Sequence, residues 1–215
     1  MIVFSLRRLS GPTVTRVKSL TLVAALVPLA LLVWRGFNNG LGANPIEFIT
    51  RSTGEWTLIL LLVTLCITPL RRLTGLNWLL RLRRTLGLTA FFYGCLHFTT
   101  YLWLDQFFDP AAIIKDIVKR PFITAGFAAF LLLIPLAITS TDAMVRRLGA
   151  KRWLLLHRLA YVATGIGVVH YWWLVKADVS EPLFYAVALA VLLAARLVTR
   201  RSAAGASAST AGNRS

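Results

Sequence analysis

Apolar residues along this chain gather into blocks too long for the helices of an ordinary soluble core. Six stretches run almost without charge: Ser19–Phe37, Thr53–Leu70, Leu86–Leu104, Pro121–Ile138, Trp153–Val175 and Pro182–Val198. Each holds roughly 17–23 residues, enough for a helix to cross about 30 Å of hydrocarbon at about 1.5 Å per residue. Lipid offers the backbone no hydrogen bonds, so each block is predicted as a helix that satisfies its own amides. The roughly ten-residue alternation of a membrane barrel is not visible. Turn residues separate the blocks at Asn38–Pro45 and Thr74–Asn77, and Asp109-Pro110 opens a short amphipathic piece, Ala111–Lys119, expected on the outer surface. The pattern predicts an all-α, polytopic membrane protein with a six-transmembrane-helix bundle over residues 19–200. Residues 1–18 form a basic arm, and residues 201–215, small and polar, are expected to be a disordered tail.

Composition agrees, with 57% hydrophobic residues and a mean hydropathy of +0.70. The net charge of +16 would suit nucleic acid, but its placement argues against that partner. Basic residues collect in alternate connections: Arg7, Arg8, Arg16 and Lys18; then Arg71, Arg72, Arg81, Arg83 and Arg84; then Arg146, Arg147, Lys151 and Arg152; then Arg196, Arg200, Arg201 and Arg214. The other connections are neutral or slightly acidic. This is the positive-inside signature of an even number of spans, with both termini cytoplasmic and a basic face able to hold anionic lipid. The first block follows a basic arm as a signal peptide does, but it runs into Arg35-Gly36-Phe37 without a small-residue cleavage site, so it reads as a retained helix. Cys66 and Cys95 fall inside spans and read as small buried hydrophobes. No nucleotide-binding motif, nucleophile elbow or repeat of 20–50 residues stands out.

Candidate chemistry rests on histidine. All three histidines, His97, His157 and His170, lie within predicted spans, where ionisable residues are costly and face the bundle interior. One such histidine is as readily an interhelical hydrogen bond as a functional group; three of three point further. His97 and His170 fall in the outer half of the membrane and His157 in the inner half, judged from their distances to Arg84 and Arg152. Two neutral imidazoles meeting across two helices can supply both axial ligands of a haem iron. His157 and His170 lie about 20 Å apart along an ideal helix, the spacing of two haems stacked through the bilayer, but about 140° apart around it. Gly165 and Gly167 lie between them and are the expected place for a local distortion.

These residues carry a family resemblance covering about residues 15–200. It rests on Asn39-Gly40-Leu41-Gly42-Ala43-Asn44-Pro45, Thr68-Pro69-Leu70, Arg83-Arg84-Thr85-Leu86-Gly87-Leu88 leading to Leu96-His97, Thr139-Ser140-Thr141, Arg147-Leu148-Gly149, Leu156-His157-Arg158-Leu159-Ala160-Tyr161 and Val169-His170-Tyr171. With these motifs the chain resembles the MsrQ (YedZ) family, haem-binding membrane subunits of periplasmic methionine sulfoxide reductase systems within the ferric-reductase-like transmembrane superfamily. The resemblance implies haem b, one or two, with His97 and His170 as one ligand pair and His157 as the candidate ligand of an inner haem. It implies outward electron transfer to a periplasmic molybdopterin-dependent catalytic subunit (MsrP), from the quinone pool or a cytosolic flavin reductase, with FMN as a further cofactor. Arg83, Arg84 and Arg158 are the expected holders of haem propionates or an FMN phosphate, since guanidinium groups bind such anions through paired hydrogen bonds. The chain departs from the wider superfamily in having one histidine on the third helix instead of two, and no cytosolic flavin–nicotinamide domain.

An electron-transfer subunit of the inner membrane is therefore the expected function. A histidine-relay proton channel or transporter would need acidic residues at membrane depth, and the centres of the spans have none. A purely structural anchor would leave the histidines without a role.

Overall fold

The computed structural model of the chain describes residues 10–175 and 178–212, and among these it is helical with no strand. Helices α1 (Gly11–Phe37) and α2 (Pro45–Thr74) contain the first two apolar blocks. A 3-10 turn, Asn77–Arg81, leads into α3 (Leu82–Thr100), which passes directly into a π-helical turn, Tyr101–Asp105. The short α4 (Pro110–Lys119) precedes α5 (Pro121–Ile138). Two short helices, α6 (Asp142–Leu148) and α7 (Ala150–Leu156), lead to α8 (Leu159–Leu174), and α9 (Ser180–Gly212) completes the described chain. Proline sets several helix starts, where its missing N–H is not needed. Asn44 caps α2 ahead of Pro45, and the Asp109 carboxylate accepts from the amides of Ala111 and Ala112 ahead of α4. Helix α9 continues past residue 200, where the sequence reading begins its tail; residues 1–9 of the basic arm and 213–215 of that tail lie outside the described residues.

Helices α1, α2, α5 and the Ser180–Leu197 part of α9 are each long and apolar enough to cross a membrane. The other two expected spans take a different form. Helix α3 carries Arg83 and Arg84 in its first turn, which shortens its apolar length, and its C-terminal end runs into the π turn. The block Trp153–Val175 is divided at His157-Arg158, where the backbone switches to three-residue hydrogen bonds: Arg158 N–H donates to the Leu155 carbonyl at 3.1 Å and Tyr161 N–H to that of Arg158 at 3.0 Å. The distortion thus falls at His157-Arg158 and not at Gly165 or Gly167, through which α8 runs unbroken.

Two antiparallel pairs organise the bundle, α2 along α3 and α5 along α8. Leu60, Leu61, Leu82, Leu86, Ala90, Tyr93, Leu133, Leu136 and Ala163 form a buried cluster between them, and Leu58, Leu62, Leu65, Val168, Tyr185 and Leu189 form a second against α9. Tyr93 ties α1 to this frame. Its hydroxyl donates to the Ala25 carbonyl at 2.9 Å and accepts from the Leu29 amide at 3.1 Å, inserting itself into the four-residue ladder of α1 beside Pro28. Proline breaks that ladder locally, and a buried hydroxyl satisfies the freed groups where lipid cannot.

Candidate functional site: two facing histidines

His97 lies near the end of α3 and His170 near the end of α8, and the fold brings their rings together with centres 6.1 Å apart and planes inclined at 74°. Each ring is held the same way by the helix packed beside it. The Nδ1–H of His97 donates to the Thr50 carbonyl of α2 at 2.9 Å, and the Nδ1–H of His170 donates to the Phe122 carbonyl of α5 at 2.6 Å. A carbonyl can only accept, so the proton is on Nδ1 and the Nε2 lone pair of each ring is left for a ligand.

Four residues beyond each carbonyl stands a glycine. A Cβ on Gly54 would lie 2.9 Å from His97 Cε1, and one on Gly126 would lie 2.8 Å from His170 Cε1 and Nδ1. Both imidazoles rest against bare backbone, the close approach that small residues permit between membrane helices. Thr50 and Phe122, Gly54 and Gly126, and His97 and His170 correspond at separations of 72 or 73 residues. The two helix pairs are built on one plan, at a period longer than any repeat sought in the sequence.

The arrangement suits one metal ion held by two imidazoles. Nitrogens at about 2 Å from a metal, each roughly 1 Å from its own ring centre, place the ring centres about 6 Å apart. Phe98 stacks on Phe130 at 4.8 Å between ring centres and lines the same α3–α5 seam with an apolar surface.

His157 stands apart from this pair at the junction of α7 and α8. It closes α7, stacks on Trp153 with ring centres 3.7 Å apart, and donates Nδ1–H to the Trp153 carbonyl at 3.1 Å. Its Nε2 is buried without a hydrogen bond of ordinary geometry, although the Leu136 carbonyl of α5 also acts on the ring, and Arg83 Nε and Trp78 Nε1 are buried without a partner, all toward the end of the bundle where α3 begins. Arg83 is the charged group acting on the His157 ring. The other two arginines are placed differently. Arg84 pairs with Asp142 at the start of α6, and its guanidinium, by hydrogen bond first and then by charge, holds that exposed carboxyl below the usual carboxylate range. Arg158 is exposed.

On the opposite end Tyr171, next to His170, donates its hydroxyl to Glu181, and Tyr185 donates to Glu55 at 2.9 Å. Thr50, Gly54, Phe122 and Gly126 escape the sequence reading. Two carbonyls carry no side-chain signal, and the only available cue was a glycine in each of two apolar blocks.

Facing histidines on two long helices of an apolar bundle define a class of membrane protein. Residues 53–168 match the family model described as the ferric reductase like transmembrane component. A protein of Herminiimonas arsenicoxydans named protein-methionine-sulfoxide reductase heme-binding subunit MsrQ is 59% identical over 190 residues, 87% of each chain. Proteins of the same name from Ralstonia nicotianae and Xanthomonas campestris pv. campestris are 61% identical over 175 residues and 50% identical over 197, covering 80% and 89% of this chain and 81% and 90% of their own. The chain belongs to the MsrQ family of ferric-reductase-like transmembrane proteins.

Proposed function

We propose that this chain is the haem b-binding membrane subunit of a methionine sulfoxide reductase system, embedded in the inner membrane with both termini cytoplasmic. It passes electrons outward to a periplasmic molybdenum-dependent methionine sulfoxide reductase, MsrP. The observation that carries the reading is the His97–His170 pair, 6.1 Å between ring centres with each Nδ1 anchored on a backbone carbonyl. His97 and His170 would hold an outer haem, which when bound would supply one-electron chemistry. Thr50 and Phe122 fix the tautomers, and Gly54 and Gly126 give the rings room.

The cytoplasmic end receives the reductant, from the quinone pool or a cytosolic flavin reductase. There His157 and Arg83, with Arg84 and Arg158 flanking them, hold an inner cofactor: a second haem, or FMN through its phosphate. The support is the pair of buried nitrogens on His157 and Arg83 without a hydrogen bond of ordinary geometry. The correspondence between the two helix pairs sets Arg84, 73 residues before His157, where α3 would need a second histidine. An inner haem would therefore have one histidine ligand from this chain.

The test is the absorbance of the purified membrane protein with and without dithionite. Reduced b-type bands are expected, with a six-coordinate low-spin signal lost in both His97→Ala and His170→Ala. A colourless preparation, or an undiminished six-coordinate outer haem in both variants, overturns the reading. In proteoliposomes, purified partner enzyme is expected to oxidise the haem only from the outer face.

A further inference from the structure

The connection between α3 and α5 belongs neither to the buried clusters nor to the histidine pair. It leaves α3 through the π turn just beyond His97, and it ends at Pro121, beside the Phe122 whose carbonyl seats His170. Only Arg120 separates α4 from α5, and the Thr124 hydroxyl of α5 donates to the Ile117 carbonyl of α4. Helix α4 is thus held at the level where a membrane-crossing helix begins. Its residues sort by helical spacing. Ile113 and Ile117 are half-buried, whereas Ile114 and Val118, one turn apart on the neighbouring face, are 63% and 77% exposed. Lys115 and Lys119 are exposed and, among the described residues, stand in no ion pair. The one carboxylate of α4 is turned inward: the Asp116 side chain is 14% exposed and is bound by Arg120 at 3.4 Å and by Gln106 at 3.1 Å. Ahead of α4 stand Phe107 and Phe108, 78% and 59% exposed, with φ of +49° and +56°. Left-handed backbone is costly for bulky residues, and rings left in water return nothing for it.

We propose that α4 and the Phe107-Phe108 turn are an interfacial anchor that binds the lipid leaflet at the histidine end of the bundle. Ile114, Val118 and the two phenylalanine rings enter the acyl boundary, and Lys115 and Lys119 hold the phosphates of anionic lipid. Lipid fits this surface better than a soluble protein. The apolar edge is joined at both ends to the helices of the bundle, one of them the span α5, so it continues the surface that already meets hydrocarbon. The charge that α4 leaves exposed is positive, because its carboxylate is engaged inside. Long lysine stems let their ammonium groups reach the phosphates while apolar neighbours sink below them, the arrangement of helices that lie in a membrane surface. Phenylalanine rings that leave water for the acyl boundary offset the cost of their backbone conformation. The inference needs only that the chain spans a membrane, and it is independent of what His97 and His170 hold.

The experiment reads depth in the full chain, reconstituted in nanodiscs of phosphatidylcholine and phosphatidylglycerol. Single cysteines, Phe107→Cys, Ile114→Cys, Lys115→Cys, Val118→Cys and Lys119→Cys, carry a nitroxide label, with Cys66 and Cys95 replaced by alanine. Power saturation compares collisions with oxygen, which concentrates in hydrocarbon, and with a water-soluble nickel complex. Labels at positions 107, 114 and 118 are expected about 5–10 Å below the lipid phosphates, and labels at 115 and 119 level with the phosphates or above them. The unaltered chain gives a second reading that no substitution can disturb. A photoactivatable phosphatidylglycerol is expected to leave adducts on its Phe107–Lys119 segment, severalfold more than on a Lys115→Gln, Lys119→Gln variant. Labels at 114 and 118 that lie in water, or an unaltered chain without adducts on this segment, overturn the proposal. Labels that stay in water until a soluble partner protein shields them overturn it too, and mark a protein-docking face instead. Equal adduct yield from the unaltered chain and the double variant overturns the pairing of the lysines with lipid phosphate.

Discussion

Gly54→Ala and Gly126→Ala each add one methyl group, and the structure sets the price of that addition. The new carbon on position 54 would stand 2.9 Å from His97 Cε1 and 3.0 Å from Nδ1; on position 126 it would stand 2.8 Å from both atoms of His170 and 3.3 Å from Cγ. Carbon contacts relax at about 3.5–4.0 Å, so each ring must retreat by about 0.6–1 Å. Such a retreat draws Nδ1 away from its carbonyl and moves Nε2 off the line to its partner ring. Overpacking costs about 1–3 kcal/mol and the strained hydrogen bond about 1 kcal/mol more, so retention of the bound group falls by roughly thirty- to several-hundred-fold. Alanine otherwise favours a helix over glycine by about 0.5–1 kcal/mol, which works in the opposite direction. Two other glycines separate these effects. A Cβ on Gly165 meets nothing within 4 Å, and one on Gly87 meets only Thr64 at 3.9 Å, so alanine at either is expected to leave the cofactor untouched. The assay is haem content per protein with the oxidised absorption and electron paramagnetic resonance spectra. High-spin iron or haem loss is expected for positions 54 and 126 only. Wild-type content and a low-spin spectrum in both Gly54→Ala and Gly126→Ala would refute the packing argument.

Two further perturbations test other parts of the structure. Tyr93→Phe removes the hydroxyl that bridges the Ala25 carbonyl and the Leu29 amide and ties α1 to α3, and it should lower stability by about 1–3 kcal/mol, read as a lower thermal midpoint in detergent. Arg83→Gln should deplete the inner cofactor more than Arg84→Gln or Arg158→Gln, because Arg84 is held by Asp142 and Arg158 faces outward; flavin and haem content of the three variants is the check, and an equal loss in all three would count against a site centred on Arg83.

The helices of this bundle were legible because lipid leaves the chain little choice. An apolar block of the right length must close its own hydrogen bonds, so Pro121–Ile138 appears in the structure with the limits read from sequence. The break at His157-Arg158 was not legible in that way. Neither residue is a proline or a glycine, and the two glycines that invited a distortion, Gly165 and Gly167, sit in regular helix, with Gly167 serving instead to bring Leu58 within 3.8 Å of its Cβ position. Local propensity names where a helix can bend, and tertiary contacts choose where it does. Here the stacking of His157 on Trp153 and the Trp153 Nε1–H bond to the Thr139 carbonyl at 2.8 Å hold the turn between α7 and α8 in place while α8 follows α5.

The same limit explains what could be read of the site. His97 and His170 were visible as side chains with expensive positions and matching depth. Their supports were not, because the supporting atoms are two backbone carbonyls and two missing methyl groups. Only in three dimensions does it emerge that α2 serves α3 as α5 serves α8. That correspondence then constrains the inner half more than the histidine count alone. Helices built on one plan would be expected to present matching side chains at both ends, and at one end His97 and His170 do match. At the other end the plan breaks, with Arg84 at the position that corresponds to His157 and its guanidinium turned to Asp142. An arginine cannot give up its proton to bind iron. Under the proposed function, a cofactor at this end would be held by one histidine and by positive charge, which favours one that presents an anionic group over one that asks for a second imidazole.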